Sequence, residues 1–458
     1  MTLVAGCFSG MREGQSETLE DALASTYLSS PQLLARRAQG RAVSESLPQA
    51  LANWRPTLRL DLKGGRGHYE NSSSSASSTQ FRTPRSGNVV ITQPLYHGGR
   101  TVAATRQADA RIQADWSELT NVEQTVLSGA AQAYLDVVRD TAVLGLGINN
   151  EQVLQRQLEA TRDRFRVGEI TQTDVAQAEA RLARATATRL GAEGTLQVSR
   201  ATYEQVIGST PGMLTLPSGP PNLPRSLQEA VEAAMAANPL VSAAEHIEEA
   251  ARHGIDLVHG ELRPTVNLEG TLSRSWGQAS RSLQTETTGI MLTVNVPLYQ
   301  QGATYSRLRE AKHAAGQRRL ESDQARRSAI ESVTQAWENV QSARAQIESF
   351  QTQITAAEVA LEGVRHESRV GSRTVLDVLN AEQELVDARV ALVQAERNTL
   401  LAEYQLLTAV GRMTAKDLGL TVEIYDPDVH ARAIRNKWFG SSVEAEKDAE
   451  LSDQSRHP

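Results

Sequence analysis

The sequence has few cysteines, few aromatic residues and no long apolar run. Its 458 residues include one cysteine, Cys7, and aromatic residues make up only 4% of the chain. A single cysteine excludes a disulfide framework and a thiolate metal cluster. The shortage of aromatic residues argues against several compact globular cores. Because no run of about 18 apolar residues occurs, a transmembrane helix is excluded as well.

Signals for nucleic-acid binding and for catalysis are also absent from the sequence. The net charge is only −7, and the interspersed charges form no basic patch of the kind that binds nucleic acid. The nearest histidines, His246, His253 and His259, lack the four-residue spacing of a helical metal pair. No phosphate-binding glycine loop or nucleophile elbow occurs. We therefore expect no enzyme, no cofactor and no metal site.

What the sequence does contain is a long internal repeat. Pro56-Thr-Leu-Arg-Leu recurs as Pro264-Thr-Val-Asn-Leu, 208 positions later. Pro94-Leu-Tyr-His-Gly-Gly99 recurs as Pro297-Leu-Tyr-Gln-Gln-Gly302, now 203 positions later. Two copies in parallel order predict a pseudo-symmetric protein, and the five-residue slip marks a loop between residues 56 and 94.

The repeat divides the chain into five parts: a processed segment at 1–16, repeats at 17–210 and 226–414, a linker at 211–225 and a flexible charged tail at 415–458. The Val4-Ala-Gly-Cys7 box resembles a bacterial lipoprotein cleavage site, which makes Cys7 a possible lipidation site. The alternative is the remnant of a signal peptide that starts upstream.

Each repeat contains two segments with the two-residue alternation of a strand that has one apolar face. Their apolar positions are Leu58, Leu60 and Leu62; Val89, Ile91 and Leu95; Val266, Leu268 and Leu272; and Ile290, Leu292, Val294 and Val296. Each segment has about the length that a tilted strand needs to cross a bilayer. Four strands are too few to close a barrel, since about eight is the practical minimum. If they span a membrane, several chains must share one barrel. The polar stretches between the strands, 64–87 and 273–287, are predicted to be solvent loops.

Helices fill the rest of each repeat. A helix interrupted near Pro31 or Pro239 precedes the strands, because an interior proline breaks the helical hydrogen bonding. After the strands, some 65 residues without proline predict a helix roughly 100 Å long. A returning helix with an alanine-rich heptad seam follows a turn at Gly168 or Gly371, and such a seam predicts coiled-coil contact.

These motifs together resemble the TolC-type outer-membrane factors. The resemblance covers residues 17 to 414 and rests on the duplicated helix-strand-strand-helix-helix order, the Pro-Leu-Tyr-x-x-Gly motifs and the Val-Gly-x-x-Thr-x-x-Asp-Val turns. It implies a mainly α fold in which the helices form a coiled-coil tunnel. Four strands per chain contribute to a 12-stranded barrel that is shared by a homotrimer. It also implies an exit duct for efflux or type I secretion that spans the outer membrane and periplasm and docks to an adaptor and an inner-membrane pump or ABC exporter. A soluble periplasmic scaffold or adaptor is the alternative, but such a protein should lack strands of membrane length.

The helical turns farthest from the strands have two interpretations. The spacing of Thr171 and Asp174, and of Thr374 and Asp377, fits helix N-capping. By symmetry, three copies of Asp377 could instead approach one axis, where repulsion would raise their pKa. The resemblance implies a periplasmic gate at this point, formed by Asp377, Arg373, Asp174 and Thr173. The chain departs from the family pattern at Asn380, where a second acid is usual, and at Ser368, where a tyrosine can occur. The strand-to-helix turns are predicted at Pro94, Gly99, Pro297 and Gly302.

Overall fold

The computed structural model describes residues 17–73, 76–278 and 282–441. The possible lipidation site Cys7 and the predicted processed segment at 1–16 lie outside these ranges. The first repeat contains α1 (Leu19–Ser29), α2 (Pro31–Ser44), α3 (Ser46–Ala52), β1 (Thr57–Gly64), β2 (Gly67–Ser73), β3 (Ala76–Arg82), β4 (Arg85–His97), α4 (Arg100–Arg166) and α5 (Gln172–Ile207). The second contains α6 (Leu227–Ala237), α7 (Pro239–His259), β5 (Thr265–Trp276), β6 (Gln284–Asn295), α8 (Ala303–Arg369) and α9 (Val375–Val410), and α10 (Pro427–Ile434) follows it.

The prolines break the leading helices as predicted. Pro31 and Pro239 each occupy the first position of a new helix, where the missing N–H is not needed. The residues before them, Ser30 and Asn238, are extended, as expected ahead of proline. The Asn238 side chain also caps α7 by accepting hydrogen bonds from the N–H groups of Leu240 and Val241.

Four strands form one antiparallel sheet in the order β1-β4-β5-β6. The register places Leu58 opposite Ile91, Val89 opposite Leu272, and Leu268 opposite Leu292. Since side chains alternate between the two faces, this register collects most of the predicted apolar positions on one face. Val296 lies beyond the end of β6, and Leu95 falls where the register of β4 shifts. The other face carries polar residues such as Asp61, Asn88, Asn267 and Thr293.

The loop predicted at 64–87 was wrong in part. Strands β2 and β3 pair as a separate antiparallel hairpin at this position. The segment is polar and lacks apolar alternation, so its sequence gave no strand signal. Backbone pairing holds the hairpin together, and the His68 and Phe81 rings, which lie opposite each other, are 4.8 Å apart between centroids.

Two antiparallel helical hairpins, α4–α5 and α8–α9, make up most of the molecule. The long helices α4 and α8 each have 67 residues, which corresponds to roughly 100 Å. The predicted seam is buried in the returning helices, for example at Ala178 and Ala185 in α5 and at Ala388 and Ala395 in α9. Within the described ranges, no helix combines the length and the apolar character needed to cross a bilayer.

The largest core lies halfway along the bundle, where both repeats meet. It joins residues of α1, α4, α5 and α9, among them Leu23, Leu127, Tyr134, Tyr203 and Leu407. Residues beyond α9 complete it, since Met413, Ala415 and Leu420 are also buried in this cluster.

The flexible tail predicted from residue 415 is therefore corrected for 415–441. This segment packs first into the central core and then along α2 through α10, where Ala431 and Ile434 are buried. Its apolar residues are few and spread over two short stretches, so the sequence pattern resembled that of a solvated tail. Residues 442–458 lie outside the described residues.

One hydroxyl in the core links three parts of the chain. The Tyr134 side chain is fully buried, and its hydroxyl lies 2.9 Å from the Glu17 carbonyl oxygen and 2.8 Å from that of Thr215. It also accepts a hydrogen bond from the Thr215 N–H at 3.1 Å. Tyr203 is equally buried, but its hydroxyl makes no hydrogen bond of good geometry to the described residues. Burial, followed by the nearby Glu17 carboxylate, raises the pKa of Tyr203.

We expect Tyr134→Phe to destabilise the protein by about 1–3 kcal/mol, because the buried backbone groups around the hydroxyl lose their partner. Tyr203→Phe is the matched control and should cost less. Thermal unfolding of the detergent-solubilised protein, followed by circular dichroism, measures both. Equal losses in the two variants would contradict the structural role of the Tyr134 hydroxyl.

Candidate functional site: hairpin tips and strand-to-helix turns

The hairpin tips lie at the ends of α4 and α8 that are farthest from the sheet. Gly168 and Gly371 turn the chain there with φ angles of 75° and 79°. Glycine adopts this left-handed conformation without steric cost, which permits the reversal from a long helix into its returning partner. Both predicted tip turns thus lie where the sequence placed them.

Each returning helix begins with a reciprocal capping box. The Thr374 N–H and hydroxyl donate to Asp377 Oδ2 at 2.9 Å and 2.8 Å, and the Asp377 N–H points back at Thr374 Oγ1 at 3.3 Å. Thr171 and Asp174 repeat this arrangement in the other hairpin. The capping interpretation is therefore confirmed for both acids.

Capping sets the charge state of Asp377 within one chain. The hydrogen bonds from Thr374 lower the pKa of Asp377 below its ordinary value of 3.8, and the Arg373 charge lowers it further. The rise in pKa expected from repulsion is not seen in the single chain. Because the folded-state pKa is the lower one, the cap contributes stability above pH 3.8 and loses it as the pH falls through the folded-state value.

Arg373 is held by its own hairpin. Its Nε lies 2.9 Å from Glu367 Oε2, and this hydrogen bond raises the pKa of Arg373. Asp174 is likewise occupied by Thr171, and the neighbouring Thr173 is exposed. An Arg373–Asp174 latch between neighbouring subunits stays a prediction.

The two tips carry the same kind of ion pair with its charges exchanged. Arg164 Nη2 lies 2.5 Å from Glu169 Oε1 in the first hairpin. By the 203-residue offset, Arg164 corresponds to Glu367, and the partner Arg373 follows one residue after the counterpart of Glu169. Sequence reasoning missed Glu367, Arg164 and Glu169. Their only signal was a charged pair spanning each Val-Gly turn.

Asn380, where the family pattern has a second acid, contacts the other hairpin of the same chain. Arg181 Nη2 of α5 donates to Asn380 Oδ1 of α9 at 2.6 Å, so this side chain ties the two hairpins of one chain together. Leu154, Ala185, Val375 and Leu379 form a small apolar cluster beside it. The other departure, Ser368, has its carbonyl oxygen engaged by the Gly371 N–H in the tip turn.

At the opposite end of the long helices lie the strand-to-helix turns. Gly99 and Gly302 cap α4 and α8 with φ angles of 82° and 78°. The residue before each also has a positive φ, and it is Gly98 in the first repeat but Gln301 in the second. A Cβ on Gly98 would collide with the Gly260 carbonyl oxygen, which explains the glycine.

Pro94 was wrongly placed in a turn. It lies inside β4, where the register with β5 shifts between Pro94 and Tyr96. Proline has no N–H for the ladder, so it fits such a bulge. Its counterpart Pro297 follows the end of β6 and does lie in the connection to α8. Among the described residues, no group of three or more acidic, histidine or cysteine side chains could hold a metal ion.

Comparison with known proteins gives one family. The family profile of outer membrane efflux proteins matches residues 22–209 and 230–412. The outer membrane efflux protein BepC of Brucella suis is 36% identical over 96% of this chain and 95% of its own length. The proteases secretion protein PrtF of Dickeya chrysanthemi is 30% identical over 58% of this chain and 59% of its own. The fold matches the Campylobacter jejuni outer membrane channel CmeC with a TM-score of 0.76 and 13% identity, over 95% of this chain and 97% of that one.

We expect Thr374→Ala to speed hydrogen exchange at the first amides of α9, because Asp377 loses both its side-chain donor and its acceptor at the cap. Thr171→Ala is the matched variant and should act only on the first amides of α5. Hydrogen–deuterium exchange with mass spectrometry resolves the two segments. Unchanged exchange in both variants would contradict a stabilising role for the caps.

Proposed function

Because the chain belongs to the outer membrane efflux protein family, we propose that three copies assemble into one channel that is gated at the hairpin tips. The protein itself is an outer-membrane channel of the type that serves efflux and type I secretion, and it extends into the periplasm. The relatives give no support to the soluble scaffold or adaptor. A passive duct needs no catalytic group, so we infer that it is not an enzyme.

The observation that supports the trimer is that the four-stranded sheet has two open edges. Within the described residues, β1 and β6 each have a neighbour on one side only. Their other edges present free backbone groups, which a bilayer does not tolerate. Pairing β6 of one copy with β1 of the next satisfies them, and three copies close a twelve-stranded barrel.

The apolar face of the sheet fits the lipid side of this barrel. Leu58, Leu62, Ile290 and Leu292 lie on that face and are each more than half exposed in the single chain. Strands β5 and β6 have 12 residues each, enough for tilted strands to cross the hydrocarbon layer. The polar opposite face would then line a water-filled interior.

The helical hairpins would extend this pore into the periplasm as a tunnel. Their tips are the part of the molecule nearest to the inner membrane, so they are the natural contact for a periplasmic adaptor and, through it, an inner-membrane pump. Efflux is the favoured task, because the efflux protein BepC matches nearly the full chain whereas the secretion protein PrtF matches just over half of it.

The gate is proposed at the same tips. In a trimer, three copies of Asp377 would encircle the tunnel entrance, whereas Asp174 would pair with Arg373 in the latch. With Asn380 in place of a second acid and held by Arg181, the negative charge would rest on fewer residues. We therefore infer moderate cation selectivity.

Asp377→Asn should weaken the cation preference of the open channel, because it removes one negative charge per subunit from the entrance. The measurement is the reversal potential of single channels in a planar bilayer under a salt gradient. Asp174→Asn, which alters the same kind of capping box in the other hairpin, is the matched control and should have the smaller effect. Equal effects would point to a general loss of charge, and a well-folded wild type that never conducts would contradict the channel.

Arg373→Ala should raise the open-channel conductance, since it frees the α8–α9 tip from the Glu367 pair and from any contact with a neighbouring subunit. Arg164→Ala breaks the corresponding pair in the other tip and separates a specific latch from a general loosening. Conductance recorded in the same bilayers measures both. A change that is equal in the two variants, or absent from both, would refute a latch centred on Arg373.

A further inference from the structure

The segment after the second repeat follows a defined path along the outside of the leading helices. We call residues 415–441 the C-terminal arm. The Ala415 N–H donates to Glu123 Oε1 of α4 at 2.8 Å, and the Tyr425 N–H donates to the Tyr27 hydroxyl of α1 at 3.0 Å. The arm thus begins at the central core and is held there by two separate elements.

The arm then rises along α2 toward the sheet. The Arg37 guanidinium lies over both the Tyr27 and the Tyr425 rings, 4.5 Å and 5.1 Å from their centroids. Ala431 and Ile434 of α10 are buried in the described structure. Asp109 lies in the first turns of α4, at the end of this helix that is next to the sheet. Burial raises the pKa of Asp109, and the nearby Arg435 charge partly lowers it again. Arg435 is therefore already near the strand end of α4.

The arm ends at the base of the sheet. Arg55 Nη1 donates to the Lys437 carbonyl oxygen at 2.9 Å, and the same guanidinium lies 4.9 Å from the centre of the Trp438 ring. Arg55 stands two residues before Thr57, where β1 begins. Trp438 is thereby placed beside the point at which the chain enters the sheet.

A second contact shows on which side of the sheet this point lies. Gln93 of β4 is opposite Leu268 and so belongs to the apolar face. Its Nε2 donates to the Trp54 carbonyl oxygen at 3.0 Å. The Trp54 carbonyl oxygen is therefore on the apolar side of the sheet, and the arm is bound to the next residue, Arg55.

The rings at this position are exposed although they are apolar. Trp438 is 56% exposed, Phe439 87% and Trp54 47%. Aromatic rings flanked by cationic side chains are typical of the boundary between lipid headgroups and hydrocarbon, where one part of the side chain is dry and the other wet. Water alone would make such exposure unfavourable.

We propose that the C-terminal arm is a membrane-surface anchor, which inserts Trp438 and Phe439 into the headgroup region of the phospholipid leaflet that faces the periplasm. The proposal rests on the proposed barrel, because only then is the apolar face of the sheet in lipid. Trp54 would belong to the same surface. The arm would thus fix the height of the helical bundle beneath the membrane, independently of the strands.

Site-directed spin labels in reconstituted phospholipid vesicles test this anchor. In a Cys7→Ser background, single cysteines are placed at Phe439 in the arm, at Leu292 on the apolar face of the sheet and at Lys416 at the other end of the arm. The collision rates of each label with oxygen, which concentrates in lipid, and with a water-soluble nickel chelate report its surroundings. The ratio of oxygen to nickel collisions should be highest for the label at 292, intermediate for the label at 439 in the headgroup region, and lowest for the label at 416 in water.

Each other pattern has a distinct meaning. A label at 439 that behaves like 416, with 292 still in lipid, overturns the anchor and leaves the channel intact. A label at 439 that is shielded from both reagents overturns it too, because protein then covers the rings. If 292 itself favours the nickel reagent, the strands are not in lipid and the proposed barrel fails.

Discussion

The unsatisfied backbone of two strand edges is the constraint on which this molecule depends. Among the residues that the structure describes, the outer edges of β1 and β6 have no partner strand. In a bilayer each unpaired backbone group costs several kcal/mol. These two edges cannot pair with each other within one chain, because four strands are too few to close a barrel. Closure with other copies is the remaining solution, and it fixes the helices into a ring below the barrel.

The helical part solves a different problem, which is to hold two very long hairpins together with little apolar surface. Alanine-rich seams allow close approach of the backbones, and buried acids add directional contacts. Glu403 and Glu382 of α9 are paired with Arg344 and Arg365 of α8 at 2.7 Å and 2.9 Å. Asp136 of α4 binds Arg397 of α9 at 2.8 Å and so links the two repeats. Because one partner of each α8–α9 pair is buried, losing the other would leave a charge without compensation.

Features with a period or a repeat could be predicted from the sequence. Each returning helix begins at the predicted Thr-x-x-Asp box, and a glycine ends it. The strands followed from alternation, and the breaks at Pro31 and Pro239 from the chemistry of proline. These signals are local, and the duplication supplied each of them twice.

What the sequence did not reveal depends on contacts between distant segments. The tip pairs of Glu367 with Arg373 and of Arg164 with Glu169 lie across turns and show no periodicity. The β2–β3 hairpin has few apolar residues, and its order comes from backbone pairing and from contacts of Phe81 and Tyr69 with neighbouring His68 and Arg82. The sequence predicts a flexible tail in place of the C-terminal arm, because the residues that hold the arm, Tyr27 and Glu123, are about 400 and 300 positions away in the chain.

The turn at Gly98 shows how a duplicated protein comes to have unequal halves. In the first repeat this backbone lies against Gly260, so each of the two positions excludes a side chain. In the second repeat the equivalent position is Gln301, which keeps the positive φ angle and is exposed. Two halves that began as copies therefore face different mutational constraints. The first turn cannot accept a side chain at Gly98 because Gly260 lies against it. The second turn accepts one, so its sequence can change while the backbone keeps its pseudo-symmetry.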